Sequence, residues 1–410
     1  CPALHHHWSL NSLRMDVVMK ETVAVIRGES YEDPRLISRI QEGIDLLGGW
    51  REFITPGDKV LLKPNLLIGR PVERCVNTHP LIVKAVARMV MDSGGTVVIG
   101  DSPQLGSARK VAARCGLEEV AKELGIDVVE FDPVEVKFPE GKVFKTLTVG
   151  KPLLEADKVI NLPKLKTHSL TCLTLAVKNL FGCIPGARKA EWHVKTSEAG
   201  KDFLAQLFLE LNDLVKPALN IVDGIMAMEG RGPGFGDPRH LGLIIMGRNA
   251  LAVDRVIAEI VSVPVDLIPT LRVAKTKGYG YAELDEIEIV GEPIDAVRVK
   301  DFKLPPRTEV PSQFADFQGL PKFVFRFLKN LLTAQPQIDH SLCQECKMCA
   351  EACPLKAISP AEGGLLIDTR KCIQCLCCIE VCPYAAVEMN PGLLLRVYNW
   401  FNSRPHSGRV

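Results

Sequence analysis

Cys343-Gln344-Glu345-Cys346-Lys347-Met348-Cys349-Ala350-Glu351-Ala352-Cys353-Pro354 is followed, after a short interval, by Cys372-Ile373-Gln374-Cys375-Leu376-Cys377-Cys378-Ile379-Glu380-Val381-Cys382-Pro383. Both stretches share one spacing: two gaps of two residues, one of three, and a prolyl bond after the last cysteine. An iron–sulfur cube needs one thiolate per iron. A tight loop with two-residue gaps places three thiolates around it and turns backbone N–H groups towards its sulfurs, while the fourth thiolate comes from the other motif. The expected ligands are therefore Cys343, Cys346, Cys349 and Cys382 for one [4Fe-4S] cluster, and Cys372, Cys375, Cys378 and Cys353 for the second. Structural zinc prefers separated cysteine pairs, and a disulfide knot suits a short secreted chain, so neither competes well. Ala357-Ile358 and Ala386-Val387 after the Cys-Pro turns, with Leu365-Leu366-Ile367 between the motifs, supply short strands and an apolar jacket. Cys377 is one place off register and is expected to pack rather than ligate.

Outward from this module, 410 residues leave room for two or three domains, one with a sizeable core. Hydrophobic residues at 47% and charged residues at 24% are ordinary for a globular protein. A net charge of +1 exerts no pull on nucleic acid, and 6% aromatics argue against a base-stacking surface. Fourteen cysteines, eight of them assigned to clusters, point to a reducing, cytoplasmic and anaerobic setting. No apolar run reaches membrane-spanning length, and no signal-peptide core follows a basic start. Residues 1–20, with His5-His6-His7, read as a disordered or non-native N-terminus.

From 21 to 300, short β-branched runs alternate with amphipathic stretches. Strands are expected at 23–26, 59–63, 96–99, 127–131, 158–161, 219–222 and 242–246. Helices are expected at 34–47, 80–92, 108–124, 203–214 and 250–261, with a hairpin over 132–151. Glycine-bounded apolar runs between helices predict an α/β domain, its largely parallel sheet covered by helices on both faces. A Pro-rich linker (301–336), a small α+β ferredoxin-like domain (337–392) and a tail (393–410) complete the chain. Within the linker, Phe323, Val324, Phe327, Leu328 and Leu331 repeat at helical spacing opposite Lys322, Arg326 and Lys329. Docking of this stripe onto its own domain is favoured over membrane contact, and the tail is read the same way.

Polar motifs recur in one place. Lys63-Pro64-Asn65, Gly100-Asp101-Ser102-Pro103, Pro163-Lys164-Leu165-Lys166-Thr167-His168, Asp223-Gly224 and Gly247-Arg248-Asn249 each follow an expected strand. In an open parallel sheet the strand C-termini share one edge, where ligands bind. Singly these are ordinary turn formers and helix caps; together they argue for a site. Lys63, Lys164, Lys166, His168 and Lys178 suit a phosphate or carboxylate, with Asn65, Ser102, Thr167 and Asn179 donating hydrogen bonds. Asp101 and Asp223 can orient a lysine, hold a divalent metal or act as a general base, and His168 titrates near neutral pH. The expected catalytic set is Lys166, His168, Asp101 and Asp223; the others bind an anionic small molecule. The Gly-rich run from Glu229 to Arg239 matches no phosphate-binding motif and reads as a mobile flap. Cys172 and Cys183 flank the helix-like 173–180 and are read as buried, inert thiols.

These strings, in this order, together with Thr78-His79-Pro80 and Ala176-Val177-Lys178-Asn179-Leu180, resemble the domain-of-unknown-function family 362 in its subset with a C-terminal two-cluster ferredoxin module. The likeness covers about residues 20–390; Cys172 stands where a small residue such as glycine is expected. It implies an iron–sulfur protein of prokaryotic type and no particular reaction. The function expected is a redox enzyme that passes electrons through two [4Fe-4S] clusters to an anionic substrate or cofactor at the rim. The alternative is a ferredoxin-type carrier whose α/β domain docks a partner or senses a ligand. A redox partner protein is expected in both cases.

Overall fold

The computed structural model describes residues 20–186, 188–306 and 333–402. The apolar stripe at 323–331 and residues 1–19 lie outside them. In chain order the strands are β1 (Glu21–Arg27), β2 (Lys59–Pro64), β3 (Thr96–Gly100), β4 (Asp127–Val129), β5 (Pro133–Lys137), β6 (Thr146–Gly150), β7 (Lys158–Leu162), β8 (Lys164–His168) and β9 (Cys172–Thr174). They continue with β10 (Leu219–Glu229), β11 (Asp237–Gly247), β12 (Ile287–Gly291), β13 (Ala334–Ile338), β14 (Ile358–Ala361), β15 (Gly364–Ile367) and β16 (Val387–Pro391).

The main sheet runs β12-β1-β11-β10-β7-β2-β3-β4, with β8 pairing to β10 and β9 to β8. Its pairings are parallel except those that β11 makes with β1 and β10, and β9 with β8. Alternate residues of β1 show why its strands read as continuous apolar runs. Val23 and Val25 enter one core, under the helices Lys201–Val215 and Ala250–Ile260. Ala24 and Ile26 enter the other, under Leu36–Leu46 and Pro80–Asp92.

Several expectations change in detail. The helix expected over 108–124 breaks into Ala108–Arg114 and Leu117–Leu124 at left-handed Gly116 (φ 78°). The stretch 164–168 is itself a strand, and β10 continues past Asp223 to Glu229, so both project beyond the end of β7. Because β11 is antiparallel, Gly247 pairs with Val23 near the start of β1. Gly247-Arg248-Asn249 therefore lies at the opposite edge from the other four motifs.

Two buried ion pairs brace the rim. Lys63 Nζ meets Asp101 at 2.8 Å, and Lys164 Nζ meets Asp223 at 2.8 Å, all four side chains being essentially inaccessible. Asp101 also accepts the Leu66 and Ser102 backbone N–H groups (2.7 and 2.9 Å). Asp223 accepts the Tyr31 hydroxyl (2.7 Å) and the His79 N–H (2.9 Å), and the Tyr31 ring stacks on His79 at 3.6 Å. Gly182 passes so close that a Cβ there would overlap Asp101 Oδ1.

In the C-terminal module β13 pairs with β16 and β14 with β15, each antiparallel. Left-handed residues recur 29 positions apart: Glu345 and Gln374, Lys347 and Leu376, Lys356 and Ala385. The duplicated spacing is thus a duplicated backbone. In the tail helix Leu393–Asn402, Leu395 is buried against Ala334 while Leu393 is exposed.

Breaking one partner of a buried pair leaves an uncompensated charge, a loss of about 3–5 kcal/mol. Asp223→Ala should lower the urea unfolding free energy by about that amount, and Asp223→Leu with Lys164→Met should recover most of it. Equal losses in the single and double variants would show that pairing is not what Asp223 contributes.

Candidate functional site

The ferredoxin-like module sits on the projecting rim. Ile68, Val76 and Met228 pack against its Ala352, Cys377 and Val381. Arg70 donates to the carbonyls of Cys382 and Pro383, both at 2.9 Å, and lies over the Phe235 ring. The Gly-rich turn between β10 and β11 joins the same contact. Its Gly232 N–H donates to Thr167 Oγ1 (3.2 Å), and its Phe235 packs on the module's core. The expected mobile flap is a packed clasp.

Between rim and module lies a cavity of about 60 Å³, lined by Asn65, Ser102, Lys178, Asn179, Lys189 and His193 among others, with Glu380 from the module. Glu380 comes from the helix Cys377–Val381 and is buried. His168 Nδ1 accepts the backbone N–H groups of Leu170 (3.0 Å) and Thr171 (3.4 Å), so the ring proton belongs on Nε2, 3.1 Å from Glu380 Oε1. Burial, with Lys178 nearby, pushes His168 down to about 4, and Glu380 opposes this only in part. His168 is thus a neutral donor rather than the group titrating near pH 7 that its type suggests. Burial alone would raise Glu380, but His168, Lys178 and His193 outweigh it and hold the carboxyl down to about 2.

The expected site residues separate into three groups. Lys63, Asp101, Lys164 and Asp223 are engaged in the two ion pairs. Among the described residues no trio of His, Cys, Asp or Glu is placed to hold a single metal ion. Thr167 and Lys166 meet neighbouring backbone: Thr167 fixes the clasp, and Lys166 Nζ donates to the Val76 carbonyl at 2.6 Å. Burial pushes the Lys166 ammonium well below its usual pKa. Asn65, Ser102, His168, Lys178 and Asn179 do converge on the cavity, and Asp101 of the first ion pair lines it as well.

Sequence reasoning missed Thr174, Lys189, His193 and Glu380. Lys189, His193 and Thr196 recur on one face of the helix Arg188–Ala199 and are all buried, a spacing that was readable. Glu380 stood out as an acid inside Cys-Cys-Ile-Glu-Val. Of the two cysteines expected to be buried, Cys183 is buried and Cys172 half-buried, and burial pushes their thiols up to about 12 and about 11.

The module contains two further cavities. One is lined by Cys343, Cys346, Cys349 and Cys382, the other by Cys353, Cys372, Cys375 and Cys378. Backbone N–H groups already point at sulfur: Ala386 at Cys382 (3.3 Å), Ala357 at Cys353 (3.2 Å) and Gln374 at Cys372 (3.4 Å). Four converging thiols with N–H donors behind them fit a [4Fe-4S] cluster at each place. Cys377 faces the rim instead, packed in the apolar contact.

A family model described as "Domain of unknown function (DUF362)" matches residues 60–259, and one described as "4Fe-4S dicluster domain" matches 335–383. The thylakoid-associated protein sll1697 of Synechocystis sp. is 39% identical over 325 residues, covering 77% of this chain and 98% of that protein. Two solved structures are more distant. A Thermotoga maritima protein shows 14% identity and a TM-score of 0.36, over 65% of this chain and 63% of its own. The lactate racemase apoprotein of Thermoanaerobacterium thermosaccharolyticum shows 12% and 0.35, over 57% and 55%. The chain thus spans less than two thirds of either structure.

The crossed ligand sets predict a selective loss. Cys382→Ala should reduce bound iron from about eight to about four atoms per chain and leave one cubane signal on anaerobic reduction. Loss of the signal assigned to Cys372, Cys375 and Cys378 instead would reverse the crossing.

Proposed function

Because the chain belongs to the family described as domain of unknown function 362, here joined to a 4Fe-4S dicluster module, we propose that it is a redox enzyme acting on a small anion in the rim cavity. Iron–sulfur electron transfer is the function of the module, and the anion is what the rim cavity adds to it. When bound, the clusters supply one-electron transfer. One observation carries the proposal: Glu380, two residues from both Cys378 and Cys382, lines the same cavity as Asn65, Lys178 and Asn179. Two thiols assigned to different clusters thus flank a side chain that reaches the binding residues.

The chain's own groups have separate tasks. Lys178 and Lys189 attract the anion, and Asn65 and Asn179 orient it. His168 donates its Nε2 hydrogen to the Glu380 carboxylate and so fixes the orientation of that group at the cavity. The clasp and the apolar contact exclude water. The two ion pairs keep Lys63 and Lys164 in place behind the wall.

The carrier reading is favoured by a different feature. Cys346 is exposed, so the cavity it lines lies near the surface, where a redox partner protein can dock. The two readings combine if electrons enter there and leave at the rim. No helix among the described residues is long and apolar enough to cross a membrane. The eight cysteines assigned to oxygen-sensitive clusters support the cytoplasmic reading, and the thylakoid association in the relative's name supports a peripheral position at a membrane.

Anaerobically purified protein, denatured and analysed by mass spectrometry, should release a small anion. That anion should reoxidise the dithionite-reduced protein, and Lys178→Met should slow reoxidation about tenfold or more. His168→Ala should also slow it. Normal rates in both variants would remove the enzyme reading and leave the carrier.

A further inference from the structure

We infer that the cavity is built for a compact monoanion that carries its own hydrogen-bond donor, an O–H or N–H beside or on the charged group. This rests on the reading of the cavity as a ligand site and specifies what enters it.

The charge of the ligand follows from the lining. Lys178 and Lys189 line the cavity, and among the described residues that line it Glu380 is the one carboxylate not paired to a lysine. Lys166 donates to the Val76 carbonyl and Lys189 to the carbonyls of Ser102 and Pro103. Among the described residues Lys178 Nζ makes no hydrogen bond; it lies 5.9 Å from the centre of the Phe208 ring. Burial lowers the pKa of all three lysines, Lys189 to about 8. Lys178, without a hydrogen-bond partner among the described residues, gains most from an added negative charge in the cavity that it lines.

The donor follows from atoms that the protein leaves unpaired. Asn65 Oδ1, Thr174 Oγ1 and Asn179 Oδ1 are buried and have no partner, and all three residues line this cavity. The Asn179 amide cannot simply be turned over. Its Nδ2 donates to Asn161 Oδ1 at 2.8 Å and to the Lys63 carbonyl at 3.3 Å, so Oδ1 is the free end. Asn161 is held in turn, donating to the Ala176 carbonyl and Asn220 Oδ1. A bare carboxylate would satisfy the lysines and leave the amide oxygens unpaired, each costing about 1–3 kcal/mol. A ligand with a hydroxyl or amine satisfies both. At about 10–15 Å³ for each water-sized occupant, 60 Å³ takes about four to six non-hydrogen atoms.

Glycolate, acetate and bicarbonate separate the requirements. Glycolate carries the donor on the neighbouring carbon, bicarbonate on the charged group, and acetate has none. Titration calorimetry on the anaerobic, cluster-loaded full chain should give glycolate or bicarbonate about tenfold tighter binding than acetate. Which of the two is preferred places the donor. Thr174→Val and Asn65→Leu should each narrow that preference, weakening glycolate or bicarbonate by a larger factor than acetate. Lys178→Met should weaken all three. Equal affinities for glycolate, bicarbonate and acetate would overturn the inference, as would heat from none of them, which would make water the occupant. Donor-selective binding without ligand-dependent reoxidation of reduced protein would sink the redox reading and leave this site standing. Ligand-dependent reoxidation without donor selectivity would do the reverse.

Discussion

A carboxylate flanked by two candidate cluster thiolates is buried against a rim rich in lysine. Everything else at the junction makes that burial tolerable. An isolated charge in an apolar interior costs several kcal/mol, so Glu380 needs nearby donors and cations, which His168, Lys178 and His193 provide. His168 can serve only because two backbone N–H groups occupy Nδ1 and leave Nε2 to donate. The requirement propagates to β8, which must run beyond the sheet to carry His168 to the module. That in turn requires β10 to extend alongside it, pairing Met228 with Lys166.

The rim lysines then face a packing problem of their own. Lys63, Lys164 and Lys166 are all fully buried, and a sheet edge with three adjacent ammonium groups would repel itself. Two are neutralised locally by Asp101 and Asp223, each also held by backbone donors. Gly182 keeps the Lys63–Asp101 pair unobstructed, and Tyr31 bridges Lys164 and Asp223 through its hydroxyl. These residues resemble a catalytic constellation in sequence because paired charges near strand ends are what both catalysis and bracing require. Only burial and distance separate the uses.

This explains what was legible. The iron–sulfur module was, because spacing around a cube is a local constraint and duplicates within 29 residues. The parallel sheet was, because strands buried on both faces leave unbroken apolar runs. The direction of β11 was not: an antiparallel strand between β1 and β10 has the same apolar composition, and only its pairing moves Gly247-Arg248-Asn249 to the far edge. The cavity was half legible. Asn65, Lys178 and Asn179 lie in motifs, whereas Lys189 and His193 lie on an unassigned helix and Glu380 lies in another domain. No one-dimensional pattern joins residues whose meeting depends on docking.

The docking also breaks the module's internal symmetry, and this bears on how it works. Glu351 and Glu380 occupy equivalent places, each two residues before the last cysteine of its motif. Glu351 is exposed, while Glu380 is buried against His168. Cys346 is likewise exposed, whereas its counterpart Cys375 is partly covered and packs towards the rim contact. An isolated module with two matched loops would present two similar faces to any partner. Seating the second loop on the α/β domain removes one of those faces from solution and leaves the first accessible. A symmetric pair of loops thereby becomes an asymmetric one, with an outer end exposed at Cys346 and an inner end closed over a small polar cavity.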